Sequence, residues 1–132
     1  MTLPSRTLQV SITRPPADVY AFVADPENLP QWARGLCRSI RQSGTGWIID
    51  TAQGEINIRF TERNSLGVLD HYVTPAPGVE IYVPMRVLAN GSGSEIIFTL
   101  FRQPGMSADK FAEDIELVER DLETLKHVLQ ST

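Results

Sequence analysis

The chain is poor in cysteine, in basic charge and in long apolar runs, and each shortage excludes a class of protein. Cys37 is the only cysteine among 132 residues. A single thiol cannot staple the chain internally or build a cysteine-rich metal site, so a reducing cytoplasm is the expected compartment. Twelve Lys plus Arg stand against sixteen Asp plus Glu, a net charge of −4. Nucleic-acid binding needs a basic footprint, and this chain lacks one. The same balance argues against docking on anionic lipid. No run of about 20 apolar residues exists to span a membrane, and residues 1–14 hold no apolar core of a secretory signal. His71 and His127 are the only histidines, so no metal set is expected, and no cofactor is implied. The pairs Gly44/Gly46 and Gly91/Gly93 fall where hairpin tips are expected, where glycine serves the turn rather than a phosphate.

What is present is a regular change of period along one domain-sized chain, residues 1–132. Leu8, Val10 and Ile12 alternate with polar residues and predict a strand. Pro15-Pro16 end it and suit a first helical turn. Val19, Phe22 and Val23 then predict a short helix over 16–24. Asp25 is a candidate N-cap with Pro26 behind it, opening a second short helix to about Ala33. From Leu36 to Arg102 the period is two, cut by turn signals near 43–46, 52–54, 64–67, 75–78 and 90–93, which predicts six strands joined by hairpins. Ser107 can cap a final helix with Asp109 in its first turn. Phe111, Ile115, Val118, Leu122, Leu125 and Leu129 make one apolar stripe along it. The expected architecture is α+β, with a seven-stranded curved antiparallel sheet crossed by one long C-terminal helix.

The hairpin turns predict the register. Phe60 falls opposite His71, Ile58 opposite Val73, His71 beside Val83, Leu69 beside Met85, Val83 opposite Leu100 and Met85 opposite Phe98. One face then carries Ile49, Ile56, Ile58, Phe60, Leu69, His71, Val73, Ile81, Val83, Met85, Val87, Ile96, Phe98 and Leu100. The other carries Arg59, Thr61, Asp70, Arg86 and Thr99, as a solvated face should. It also carries Tyr72, Tyr82, Ile97 and Phe101, an apolar excess that marks a candidate homodimer contact.

At its start the sequence resembles a known family. Val10, then Pro15, Val19, Tyr20, Phe22, Val23, Asp25, Pro26 and Trp32 look like the opening of polyketide cyclase/dehydrase-like proteins of the START and birch-pollen-allergen (SRPBCC) superfamily. The element order is similar to that superfamily's helix-grip fold over essentially the whole chain. The resemblance implies a cavity between sheet and long helix, closed at one end by the two short helices. Its members include ligand carriers, lipid-transfer domains, cyclases, receptors and chaperone activators, so it implies a fold and does not name a catalyst.

His71 is the one titratable group in the middle of the predicted inner face. Its imidazole can orient a ligand carbonyl or phenol, or act as general acid/base; the plainer reading is a core histidine bonded to a neighbour. Asp70 is no partner for it, since adjacent strand residues point to opposite faces. Glu62 and Arg38 are candidates for the cavity rim. Trp32 and Trp47 could stack on a flat ligand or simply pack. Ile58, Phe60, Val83, Met85, Phe98, Phe111 and Ile115 are read as cavity lining, where core packing demands the same apolar atoms. Cys37 reads as a buried structural thiol, and His127 as a residue placed for the helix dipole. From Ser107 onward seven acids and three bases account for the whole net charge, which predicts that the charge is the solvated back of the long helix and that the pocket is nearly neutral. Three readings follow: binding of a lipid, aromatic or polyketide-like molecule; a cyclase or dehydratase with His71 moving the proton; or a protein-interaction module.

Overall fold

The computed structural model describes residues 1–131. Strand β1 (Ser5–Ile12) buries Leu8, Val10 and Ile12 in the expected alternation. Helix α1 (Pro16–Ala24) starts on its proline and buries Val19 and Val23. A single 3-10 turn (Pro26–Asn28) follows, with the Asp25 side chain accepting the Glu27 N–H at 3.0 Å. Helix α2 (Leu29–Trp32) is one turn long and buries Leu29 and Trp32. The strands after it are β2 (Ser39–Ser43), β3 (Gly46–Thr51), β4 (Gly54–Phe60), β5 (His71–Ala76), β6 (Val79–Val83), β7 (Met85–Asn90) and β8 (Gly93–Phe101). Helix α3 (Ala108–Gln130) closes the chain, capped by Ser107 Oγ, which accepts the Lys110 N–H at 3.0 Å. Its Leu122, Leu125 and Leu129 are sealed in the core, and α3 packs against β1 and α2.

The expectation of seven strands in one sheet is corrected: the described residues form eight strands in two antiparallel sheets, ordered β1-β8-β7 and β2-β3-β4-β5-β6. The reason is Pro84. It falls in what the period-two pattern predicts as one strand over 79–89, and it has no N–H to give to a ladder. The β7–β8 ladder ends at Met85 opposite Phe98, with one further bond from Thr99 N–H to the Pro84 carbonyl at 3.0 Å. Beyond that bond β6 and β8 are not ladder neighbours, so the expected Val83–Leu100 pair does not form. The two sheets stay joined by residues 67–69, where Leu69 N–H bonds the Met85 carbonyl at 2.8 Å and Val87 N–H bonds the Gly67 carbonyl at 2.9 Å. Gly67 sits there at φ 73°, and a Cβ on it would overlap the Val87 carbonyl oxygen, so this crossing point admits only glycine. The other predicted registers stand: Phe60 opposite His71, Ile58 opposite Val73, His71 opposite Val83 and Met85 opposite Phe98.

Candidate ligand cavity

The inner face is not sealed evenly. Ile49, Met85 and Ile96 are at most 1% exposed, as core residues are. Phe60, His71, Val73, Ile81, Val83 and Leu100, on the same face, are only half-buried. They face a cavity of about 330 Å³, within the range of small-molecule sites. Helix α1 contributes Tyr20 and Val23 to its wall, α2 contributes Leu29 and Trp32, and α3 contributes Leu117, Val118 and Asp121. Exposed Leu36, Arg63, Tyr82 and Lys110 border it. Inner-face Val83 and Leu100 and outer-face Tyr82 and Phe101 line the same void. The cavity therefore reaches the gap that Pro84 opens between β6 and β8. On the outer side the Tyr82 and Phe101 rings stack across that gap, their centroids 6.3 Å apart.

The cavity brings together seven of the ten residues expected to line it: Trp32, Ile58, Phe60, His71, Val83, Met85 and Phe98. Trp47, Phe111 and Ile115 lie outside it. Trp47 stands on β3 beyond Ile58 and packs on the edge of the core. Phe111 and Ile115 miss it because α3 is rotated about its axis relative to the stripe-centred expectation. Lys110, Asp114, Leu117, Val118 and Asp121, spaced by three or four, face the void instead. Glu62 and Arg38 are exposed and outside the lining; Arg63 takes the rim position instead. Cys37 is buried beside the Ser39 carbonyl, and burial, with Asp50 nearby, pushes its thiol up to about 11. Such a thiol is not a nucleophile. Among the described residues no group of three His, Cys, Asp or Glu side chains could hold a metal ion.

His71 lies between two rings, with Phe60 and Phe98 centroids each 6.0 Å from its own. Its Nδ1 is 3.1 Å from the Leu69 carbonyl. A carbonyl only accepts, so the proton is on Nδ1 and Nε2 carries the lone pair. Desolvation lowers the imidazole pKa, against the raising effects of the Leu69 bond and of Asp70, so the ring is neutral at pH 7. The ring Cε1–H resonance should therefore titrate with a midpoint below 6.5; a midpoint above 6.5 would contradict this environment.

Asp70 departs from the solvated role expected of it. The side chain is buried and collects four hydrogen bonds. It accepts from Met85 N–H at 2.9 Å, Tyr82 O–H at 2.8 Å, Arg86 Nε at 2.9 Å and Arg86 Nη2 at 2.8 Å. The Arg86 hydrogen bonds, with the Met85 amide and the Tyr82 hydroxyl, outweigh desolvation and hold the carboxyl down to about 2. The Met85 N–H is the first donor after Pro84, so Asp70 replaces the ladder partner that the sheet break removes. Asp70 is thus a tie between the sheets.

The expectation that Asp121 belongs to the solvated back of α3 is corrected. It is 8% exposed, lines the cavity and accepts the Gly35 N–H at 3.0 Å through Oδ1. Desolvation raises its pKa to about 6, opposed by the Gly35 bond and by Arg120. The signal in the sequence was its place four residues after Leu117 and three after Val118, at the edge of the stripe.

Similarity to known proteins agrees with this architecture. Residues 12–126 match the family model described as polyketide cyclase / dehydrase and lipid transport. The chain belongs to this family. A search of curated proteins finds no match. Among solved structures, the family member's fold is similar to XoxI from Bacillus cereus (TM-score 0.78, 16% identity, 98% of this chain and 96% of that one). It is also similar to Ara h 8.0201 (0.67, 13%, 98% and 99%) and to the Aha1 dimer from Colwellia psychrerythraea (0.74, 13%, 97% and 97%). At such identities the likeness is one of fold, and the helix-grip architecture of the birch-pollen-allergen type is shown. Among the described residues no helix is long and apolar enough to cross a membrane.

Proposed function

We propose that this protein binds a small hydrophobic molecule, a lipid, an aromatic or a polyketide-like compound, in the cavity between the sheets and α3. The observation that carries the reading is the cavity, walled by apolar side chains that the other described residues leave only half-buried. The family's description, which includes lipid transport, supports the same class of ligand. In this reading His71 Nε2 accepts a hydrogen bond from a ligand hydroxyl or phenol and sets its orientation, while Phe60 and Phe98 hold the apolar body. The neutral fluorescent probe N-phenyl-1-naphthylamine tests it. Saturable one-to-one binding, reversed by a fatty acid or a flat aromatic, is the expected result; failure of the probe to bind overturns the reading.

A cyclase or dehydratase activity is the second reading, favoured by the neutral imidazole with its lone pair in an apolar cavity, the state a general base needs. Asp70 is committed to Arg86 and Tyr82, so His71 would act without a carboxylate behind it. In the same proposal a homodimer would form through Tyr72, Tyr82 and Phe101. The Aha1 relative is described as a dimer, and here Tyr82 is 39% exposed at the surface of a stack with Tyr72 (centroids 5.3 Å) and Phe101. Light scattering decides it: a mass of twice the 14.7 kDa chain supports the dimer, and the single-chain mass removes it.

A further inference from the structure

Two polar side chains in the cavity wall, Trp32 and Asp121, have hydrogen-bonding capacity to spare. Trp32 is 4% exposed and lines the cavity, and among the described residues its indole Nε1–H has no hydrogen-bond acceptor. A buried N–H left without a partner costs about 1–3 kcal/mol, so such groups are rare unless something supplies the acceptor. Three residues later, Gly35 gives its N–H to Asp121 Oδ1. A Cβ on Gly35 would stand 3.2 Å from Oδ1 and 3.4 Å from Oδ2, so a larger residue there would push the carboxylate aside by a few tenths of an ångström. No protein donor reaches Oδ2 among the described residues. The wall between α2 and α3 thus holds an unmatched donor, the indole N–H, and an acceptor atom that no protein donor reaches, Asp121 Oδ2. The rest of this wall is apolar: Leu29, Ala33, Leu117 and Val118.

We propose that Trp32 and Asp121 form a polar subsite for a ligand group that both accepts and donates a hydrogen bond, a hydroxyl on an otherwise apolar molecule. The inference rests on the cavity-binding reading and deepens it, placing a polar end of the ligand between α2 and α3, apart from His71. The hydroxyl oxygen accepts from Trp32 Nε1–H, and its proton goes to Asp121 Oδ2. The buried acid fits the role: its carboxyl is held near the upper end of the carboxylate range by desolvation, a cost that a ligand donor offsets.

Three naphthalenes of similar shape separate the parts: 2-naphthol, which donates and accepts; 2-methoxynaphthalene, which only accepts; and 2-methylnaphthalene, which does neither. Each displaces N-phenyl-1-naphthylamine from the native protein, Asp121→Asn, Trp32→Phe and His71→Leu at pH 8, where Asp121 is ionised. The asparagine keeps an oxygen for Gly35 and turns the free acceptor into a donor. The 2-naphthol to 2-methoxynaphthalene affinity ratio should therefore fall about tenfold in Asp121→Asn. In Trp32→Phe, 2-methoxynaphthalene should lose its advantage over 2-methylnaphthalene. A merely structural Asp121 would leave the first ratio unmoved. Ratios unchanged in both variants, a response in only one of them, or a naphthol preference lost only in His71→Leu overturns the subsite while the cavity reading stands. No displaceable probe binding to the native protein overturns both.

Discussion

Replacing Asp70 with alanine should lower the unfolding free energy by about 3 kcal/mol, measured by urea denaturation at pH 7. The main loss is the Met85 amide, which sits just past Pro84 in a fully buried residue and has no other acceptor once the carboxylate is gone. A buried N–H without a partner costs about 1–3 kcal/mol. The Arg86 pair adds less than its geometry suggests: the arginine side chain is 44% exposed, so water screens it to at most about 1 kcal/mol. The pH dependence has a definite sign. A carboxyl held down to about 2 stabilises the fold fully above its unfolded pKa near 3.8, and that contribution is lost as pH falls through 2. The stability difference between the native protein and Asp70→Asn, which keeps an acceptor for Met85, should be constant above pH 5 and shrink between pH 4 and 2. A loss below 1 kcal/mol in the alanine variant would mean that the sheet junction holds without the tie.

Asp121→Asn should do the opposite and stabilise the protein at pH 7 to 8 by about 1–2 kcal/mol, a conversion of the raised pKa discounted for screening. That is roughly 3–8 °C in Tm for a chain of this length. The folded-state pKa of about 6 lies above the unfolded 3.8, so keeping the charge costs stability above pH 6, and the cost disappears below pH 4. The gain in the variant should vanish over the same window. His71, with its lowered pKa, makes stability fall as pH drops below 6.5, but that slope is common to both proteins and cancels in the difference. Arg120 already moderates the cost, and Asp114 and Lys110, paired at 2.8 Å, border the same void about two and three turns away. Destabilisation at pH 8 would show that the charged carboxylate itself supports the fold. Stabilisation would show a buried acid kept at a cost to the fold, as a ligand-contacting group is.

The fold was legible where local chemistry is strong. Hairpin glycines and the alternation of β4 to β6 and of β7 and β8 predict registers correct to the residue, because a slip of one would expose the whole apolar face. Pro84 was visible too, yet the apolar alternation on either side of it masks the break, and only the lost ladder bond reveals that one strand becomes two. Position along a strand tells which face Asp70 takes; it does not tell that Met85 and Arg86 meet it from the other sheet, with Tyr82 joining from β6. The α3 stripe fixed the helix and left its rotation open, so Phe111 and Ile115 were expected in the cavity and Asp121 in solvent. A turn of the helix by one residue's angle reverses both, and periodicity at this precision cannot decide it.

The most direct test of a cavity that binds ligand compares N-phenyl-1-naphthylamine titrations of the native protein and Val83→Trp, with circular dichroism confirming that both are folded. Val83 lines the cavity beside His71, and an indole there fills the space that the ligand would take. Saturable one-to-one binding is expected in the native protein, weakened at least about a hundredfold in the variant. Equal affinity in the two proteins would place the probe elsewhere and contradict the account.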